Sequence, residues 1–221
     1  MNKDRDLLIQ KKLDRLITQG KAAQLMAAIE EYKLPLSSTL LQNAFGRACN
    51  LGRAEIVEKM LNLPGKMSDS VFFLSYLSVV ENDNYQIPRM LVGEMDKKGY
   101  TLTEDQEAKW ITKTINNRFP GLLEAVLKNI KRPLGNKGDS IIMNRLLFNP
   151  NSDAAKMIIP LWSSPVDKRM ARAILKNPKL FNMPFDRIAA LVGNTANLIE
   201  QYSSLDKGIL RPPAISPGVK Q

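Results

Sequence analysis

The feature that most limits what this chain can become is a recurrence of paired apolar residues at a nearly constant interval. Leu25-Met26, Ile56-Val57, Met90-Leu91, Val126-Leu127, Met157-Ile158 and Ile188-Ala189 follow one another at intervals of 31, 34, 36, 31 and 31 residues. Each pair sits among apolar residues three and four apart, a spacing that places them on one side of a helix. Ahead of each lies another stretch of the same kind, set off by a turn signal such as Gly20, Gly52 or Asn82-Asp83-Asn84. A period of ~30–40 residues belongs to two-helix units that bury a face only by stacking on a neighbour. The spacing predicts an all-α protein, an α-solenoid of about six helix-turn-helix repeats. The alternative is an irregular helical bundle whose hairpins share a length.

The individual elements follow from local chemistry. Residues 5–18 read as a helix with Ile9, Leu13, Leu16 and Ile17 inward, followed by a second with Ala22, Leu25, Met26 and Ile29 as its stripe. Pro35 ends that second helix, because the residue before a proline is disfavoured in helical geometry. Val71 to Val80 is apolar almost all round, the pattern of a helix held between neighbours. Thr103-x-x-Gln106 is a capping box, and Pro88, Pro120 and Pro165 suit the first turn of a helix. A last helix over 195–203 closes the array. One helical-repeat domain over 1–205 is expected, with a flexible Pro- and Gly-containing tail over 206–221.

One unit carries more than periodicity. In residues 43–61 the order is Ala48-Cys49-x-x-Gly52-x-x-Glu55-Ile56-Val57-x-x-Met60-Leu61. This resembles the core of an ankyrin repeat, small-small-x-x-Gly then Glu-Ile-Val then two large apolar residues. The match covers about twenty residues. The family's Thr-Pro-Leu-His opening is replaced by Asn43-Ala44-Phe45-Gly46, and its Gly-Ala-Asp-Val-Asn connector is absent. The resemblance implies a right-handed, ankyrin-like stack without clear β-hairpin fingers. It also implies a partner lying against the inner helices, where Arg47 replaces the usual apolar residue.

Composition removes several functions. The chain has no histidine, and so no Ser-His or Cys-His nucleophile pair and no imidazole-based zinc site. Cys49 is the only cysteine, which rules out an internal disulfide and fits a reducing cytosol. No apolar run is long enough to span a bilayer, and Met1-Asn2-Lys3-Asp4-Arg5-Asp6 lacks the apolar segment of an export signal. No catalytic residue, metal site or cofactor is therefore assigned. Gly135-Asn136-Lys137-Gly138 matches the Gly-x-x-Gly clamp of some nucleic-acid modules, but the strands of that fold are missing and a flexible link is the plainer reading.

Charge is uneven. Residues 121–180 hold eleven Lys or Arg against four acids, +7 of the total +10. Lys168, Arg169, Arg172 and Lys176 include neighbours one helical turn apart. With Arg47, Lys131 and Arg132 they form the candidate partner-binding set. The expected function is non-enzymatic: a protein-protein interaction module whose protein partner presents an acidic surface. The alternative is a nucleic-acid-binding helical repeat using the basic 121–180 region, although aromatic residues for base stacking are scarce there. The simplest account of the same charges is a solvated face. A lysine- and asparagine-rich ankyrin-like chain of this size resembles bacterial effectors delivered into host cells, or their regulators. The expected location is cytoplasmic, or the host-cell cytosol for a translocated effector.

Overall fold

The structure, a computed structural model of the chain, describes residues 3–80, 85–117, 119–148 and 152–163. Within them the protein is all-α. Ten helices follow in order: α1 (Lys3–Thr18), α2 (Ala22–Glu31), α3 (Thr39–Asn50), α4 (Ala54–Leu61), α5 (Asp69–Val79), α6 (Gln86–Lys97), α7 (Glu104–Thr114), α8 (Pro120–Asn129), α9 (Ser140–Phe148) and α10 (Ser152–Ile158). Short 3-10 turns lie at Lys137–Asp139 and Ile159–Leu161. The chain divides into two compact units, Met1–Arg132 and Pro133–Gln221. The sixth expected helix pair, the closing helix at 195–203 and the 206–221 tail lie outside the described residues.

In the first unit each helix packs on the next but one. α1 lies on α3, α3 on α5 and α5 on α7, while α2 lies on α4, α4 on α6 and α6 on α8. Each odd helix also packs on the even helix that follows it. The sequence explains the close approach. Ala44, Ala48 and Cys49 of α3 are fully buried, and their small side chains let α1 and α5 come near on either side. Ile56, Val57, Met60 and Leu61 give α4 its buried stripe.

The turns repeat one design. Gly20, Gly52 and Gly99 have positive φ of 70°, 66° and 60°. At each, the glycine N–H bonds back to the carbonyl three residues before it, and the next N–H reaches five residues back, closing the helix in a Schellman turn. Lys33, φ 50°, occupies the same position after α2 and bears the cost of a Cβ there. Helix starts recur as well. The hydroxyls of Ser38, Ser68 and Thr103 each accept a backbone N–H at 3.3 Å, capping α3, α5 and α7. The Thr103–Gln106 box forms as read from the sequence.

Between α5 and α7 the core is aromatic and hydrogen-bonded. Tyr76 and Trp110 meet edge to face at 5.3 Å. The Thr114 hydroxyl donates to the Trp110 carbonyl at 2.7 Å and so accepts from the Tyr76 hydroxyl, also at 2.7 Å. That satisfies two buried polar groups that are otherwise costly.

Among its described residues the second unit contains one short extended contact, an isolated parallel bridge between Leu134 and Trp162. Its Gly135–Gly138 loop is built around a fully buried carboxylate, because Asp139 Oδ2 accepts the N–H groups of Gly135 (2.9 Å) and Asn136 (3.1 Å). Those donors are already used within the fold, so the loop is neither a free phosphate clamp nor a slack link.

Lys33→Gly is expected to stabilise the protein by up to about 1 kcal/mol, by removing a strained left-handed side chain. Gly52→Ala is expected to cost about 1–2 kcal/mol for the converse reason. Urea unfolding of the two variants beside the parent measures both.

Candidate protein-binding surface

Arg47 projects from α3 toward the end of α1. Its Nε lies 3.6 Å from Asp14 Oδ1, and a terminal nitrogen donates to Thr18 Oγ1 at 3.4 Å. The charge is balanced, yet the side chain stays about half exposed. Beyond it a groove of about 520 Å³ runs between α3 and α5, lined by Gln42, Asn43, Asn50, Leu51, Leu74 and Ser78 among others. Leu74 is 61% exposed and Leu51 45%. This refines the reading of α5 as a helix enclosed by neighbours: its flanks are buried, but Leu74 faces water in the groove between α3 and α5.

The other predicted residues separate by role. Lys131 pairs with Asp96 at 3.2 Å while both stay largely exposed. Arg132 is drawn inward. Its Nε donates to Glu107 Oε2 at 2.6 Å, both side chains are under one-fifth exposed, and a second nitrogen donates to the Glu104 carbonyl at 3.3 Å. Arg132 thus ties the chain after α8 to the start of α7. Glu104, Asp105 and Glu107 occupy the first turn of that helix, where negative charge suits the helix dipole. Arg47 shares no partner with Lys131 or Arg132. Lys168, Arg169, Arg172 and Lys176 lie outside the described residues.

Many of the remaining cations in the first unit also face acids. Lys12–Glu31, Lys59–Glu55, Lys66–Asp69, Lys97–Glu94 and Lys128–Glu124 are ion pairs at 2.7–3.6 Å. Others hold backbone instead. Arg53 donates to the Thr18 carbonyl, Lys98 to the carbonyls of Leu63 and Gly65, and Lys66 to that of Gly99. These bonds clamp the turns of successive hairpins to one another.

Cys49 is fully buried, and burial pushes its thiol up to about 12 against a hydrogen bond with Ser75. A thiol held protonated in this way is a poor nucleophile. Burial likewise raises the phenols of Tyr76 and Tyr100.

No protein-family model matches the chain, and no solved structure matches it. Among curated proteins it is similar to UvrABC system protein C of Mycoplasmoides gallisepticum, with 27% identity over 118 residues. The aligned part is 53% of this chain and 19% of that protein, so the chain spans about a fifth of the relative's length. No described helix is long and apolar enough to cross a membrane.

The two ion pairs made by neighbouring residues after α8 are expected to differ sharply. Arg132→Ala should cost about 1–3 kcal/mol, since it strands a largely buried carboxylate. Lys131→Ala should change stability by no more than about 0.5 kcal/mol, as solvent screens that pair. Chemical denaturation distinguishes them.

A second expectation concerns pH. Acids whose folded pKa is raised stabilise the fold below their ordinary pKa, and that stability is lost as pH rises through the folded value. For Cys49 the window runs from its ordinary 9.0 to about 12. Unfolding free energy should therefore fall steadily across that range, and thiol labelling below it should track global unfolding.

Proposed function

We propose that the first unit is an ankyrin-like stack of four helical hairpins, and that it serves as a non-enzymatic module binding a protein partner across α1, α3 and α5. Three features support the repeat reading: the next-but-one packing of the helices, the Schellman turns at Gly20 and Gly52, and the matching caps of Ser38, Ser68 and Thr103. Each hairpin is too small to bury both its helices alone, so its neighbours complete the core.

The observation that carries the functional reading is Leu74. The outward line of α5 runs through the hydroxyl residues Ser70 and Ser78, and a large apolar side chain between them is out of place. Yet Leu74 stands 61% exposed, beside exposed Leu51 and half-exposed Arg47, in a groove edged by amide and hydroxyl side chains. An apolar centre with a polar rim and one arginine is the anatomy of a protein-docking surface. The ion-paired cations of this unit favour a protein over a phosphate backbone, which draws its affinity from cations free to replace counterions.

The test is affinity capture with the full chain, followed by measured affinity for the recovered protein. Leu74→Asp should weaken that binding by about 2 kcal/mol or more while leaving circular dichroism and thermal midpoint unchanged. Full affinity in the Leu74→Asp chain would remove this face from the proposal. Recovery of nucleic acid alone, with affinity falling steeply in salt, would favour the phosphate-binding reading instead.

A further inference from the structure

A second groove, of about 390 Å³, lies between α6 and α8. Its walls are Tyr85 and Arg89 from the start of α6, and Phe119, Gly121, Leu122 and Ala125 from the start of α8. The Tyr85 and Phe119 rings pack at 4.3 Å, tilted by 37°, and form a continuous aromatic wall although Tyr85 is 45% exposed. Among the described residues, Arg89 is the groove's only formally charged lining residue. It is exposed and has no ion pair among the described residues, whereas many cations of this unit are matched to acids.

The floor is open by composition. A Cβ added at Gly121 would meet nothing within 4 Å. The same is true of Gly93, which lines the adjoining groove between α4 and α6, a groove that shares Tyr85 and Arg89. Gly93 lies inside α6, where glycine is less stable than alanine, and no neighbour requires it. Both glycines leave open space along grooves that Tyr85 and Arg89 also line.

We propose that the α6/α8 groove docks an acidic segment of a partner protein, with one carboxylate on Arg89 and an adjoining apolar side chain against Tyr85, Phe119 and Leu122. The lining dictates both halves of that ligand. A guanidinium offers a carboxylate two parallel hydrogen bonds, and desolvation by the apolar wall strengthens them. A free inorganic anion would leave the aromatic wall uncovered, and a polyphosphate backbone would find a single cation among the described lining residues. Tyrosine and arginine are also the residues that most often dominate protein-protein binding energy. This site does not depend on the Leu74 face, and the two are separable by mutation.

The experiment pans a displayed library of short amphipathic helical peptides against the full chain. Recovered peptides are expected to place Asp or Glu one helical turn from Leu or Phe. They should bind Arg89→Glu and Gly121→Leu chains at least about tenfold more weakly, with the thermal midpoints of those variants unchanged. Binding to Leu74→Asp should be intact, and replacing the peptide's acid by Lys should restore affinity for the Arg89→Glu chain. Recovery of no peptide, peptides without acid enrichment, or full affinity for Arg89→Glu would each overturn the proposal. Peptides weakened by Leu74→Asp but not by Arg89→Glu would overturn it while supporting the other face.

Discussion

The structure of the first unit depends on how closely α3 approaches both α1 and α5. Ala44, Ala48 and Cys49 have no exposed surface, so helix backbones meet there with little side chain between them. Larger residues would force the neighbours apart and open cavities along Leu13, Ile17 and Phe72, which fill the same layer. The helices are short, the shortest in this unit being the eight-residue α4. Helices of that length are marginal alone, and packing on neighbours supplies their stability.

Polar chemistry then fixes the spacing that apolar contact leaves loose. Helix ends expose carbonyls that need donors. Arg53 serves the end of α1, Lys98 serves the turn after α4, and Lys66 serves the turn after α6. Each clamp crosses from one hairpin to another. A large share of the chain's basic residues in this unit is therefore spent on its own architecture, which is why net charge alone is a poor guide to its partner.

What was legible in the sequence was local. Helical periodicity placed α1, α2, α4, α7 and α8, and glycine chemistry placed the turns at Gly20 and Gly52, because neither depends on distant residues. The Thr103–Gln106 box and Pro120 at the head of α8 were legible for the same reason. Ser38 and Ser68 carry an equally local capping signal that only the repeated geometry makes evident. The candidate site was less legible. Arg132 read as a surface cation because Glu107, which buries it, is 25 residues away. Leu74 is poorly marked in the sequence, because only Ser70 and Ser78, four residues to either side, signal the outer face of an otherwise largely apolar helix. Lys33 adopts a turn that glycine normally takes, and no residue-level signal announces that. The Gly135–Gly138 loop reads as slack because nothing local marks Asp139 as the buried anchor beneath it.

An ankyrin-like stack requires that hairpins support one another in sequence rather than share a single core. Hydrogen exchange of the full chain carrying Val57→Ala, a truncation in the buried stripe of α4, tests this most directly. The predicted result is graded: exchange rises most in α3 and α4, less in α1, α2, α5 and α6, and least in α7 and α8. An equal rise across all eight helices would contradict the stack and indicate one indivisible core.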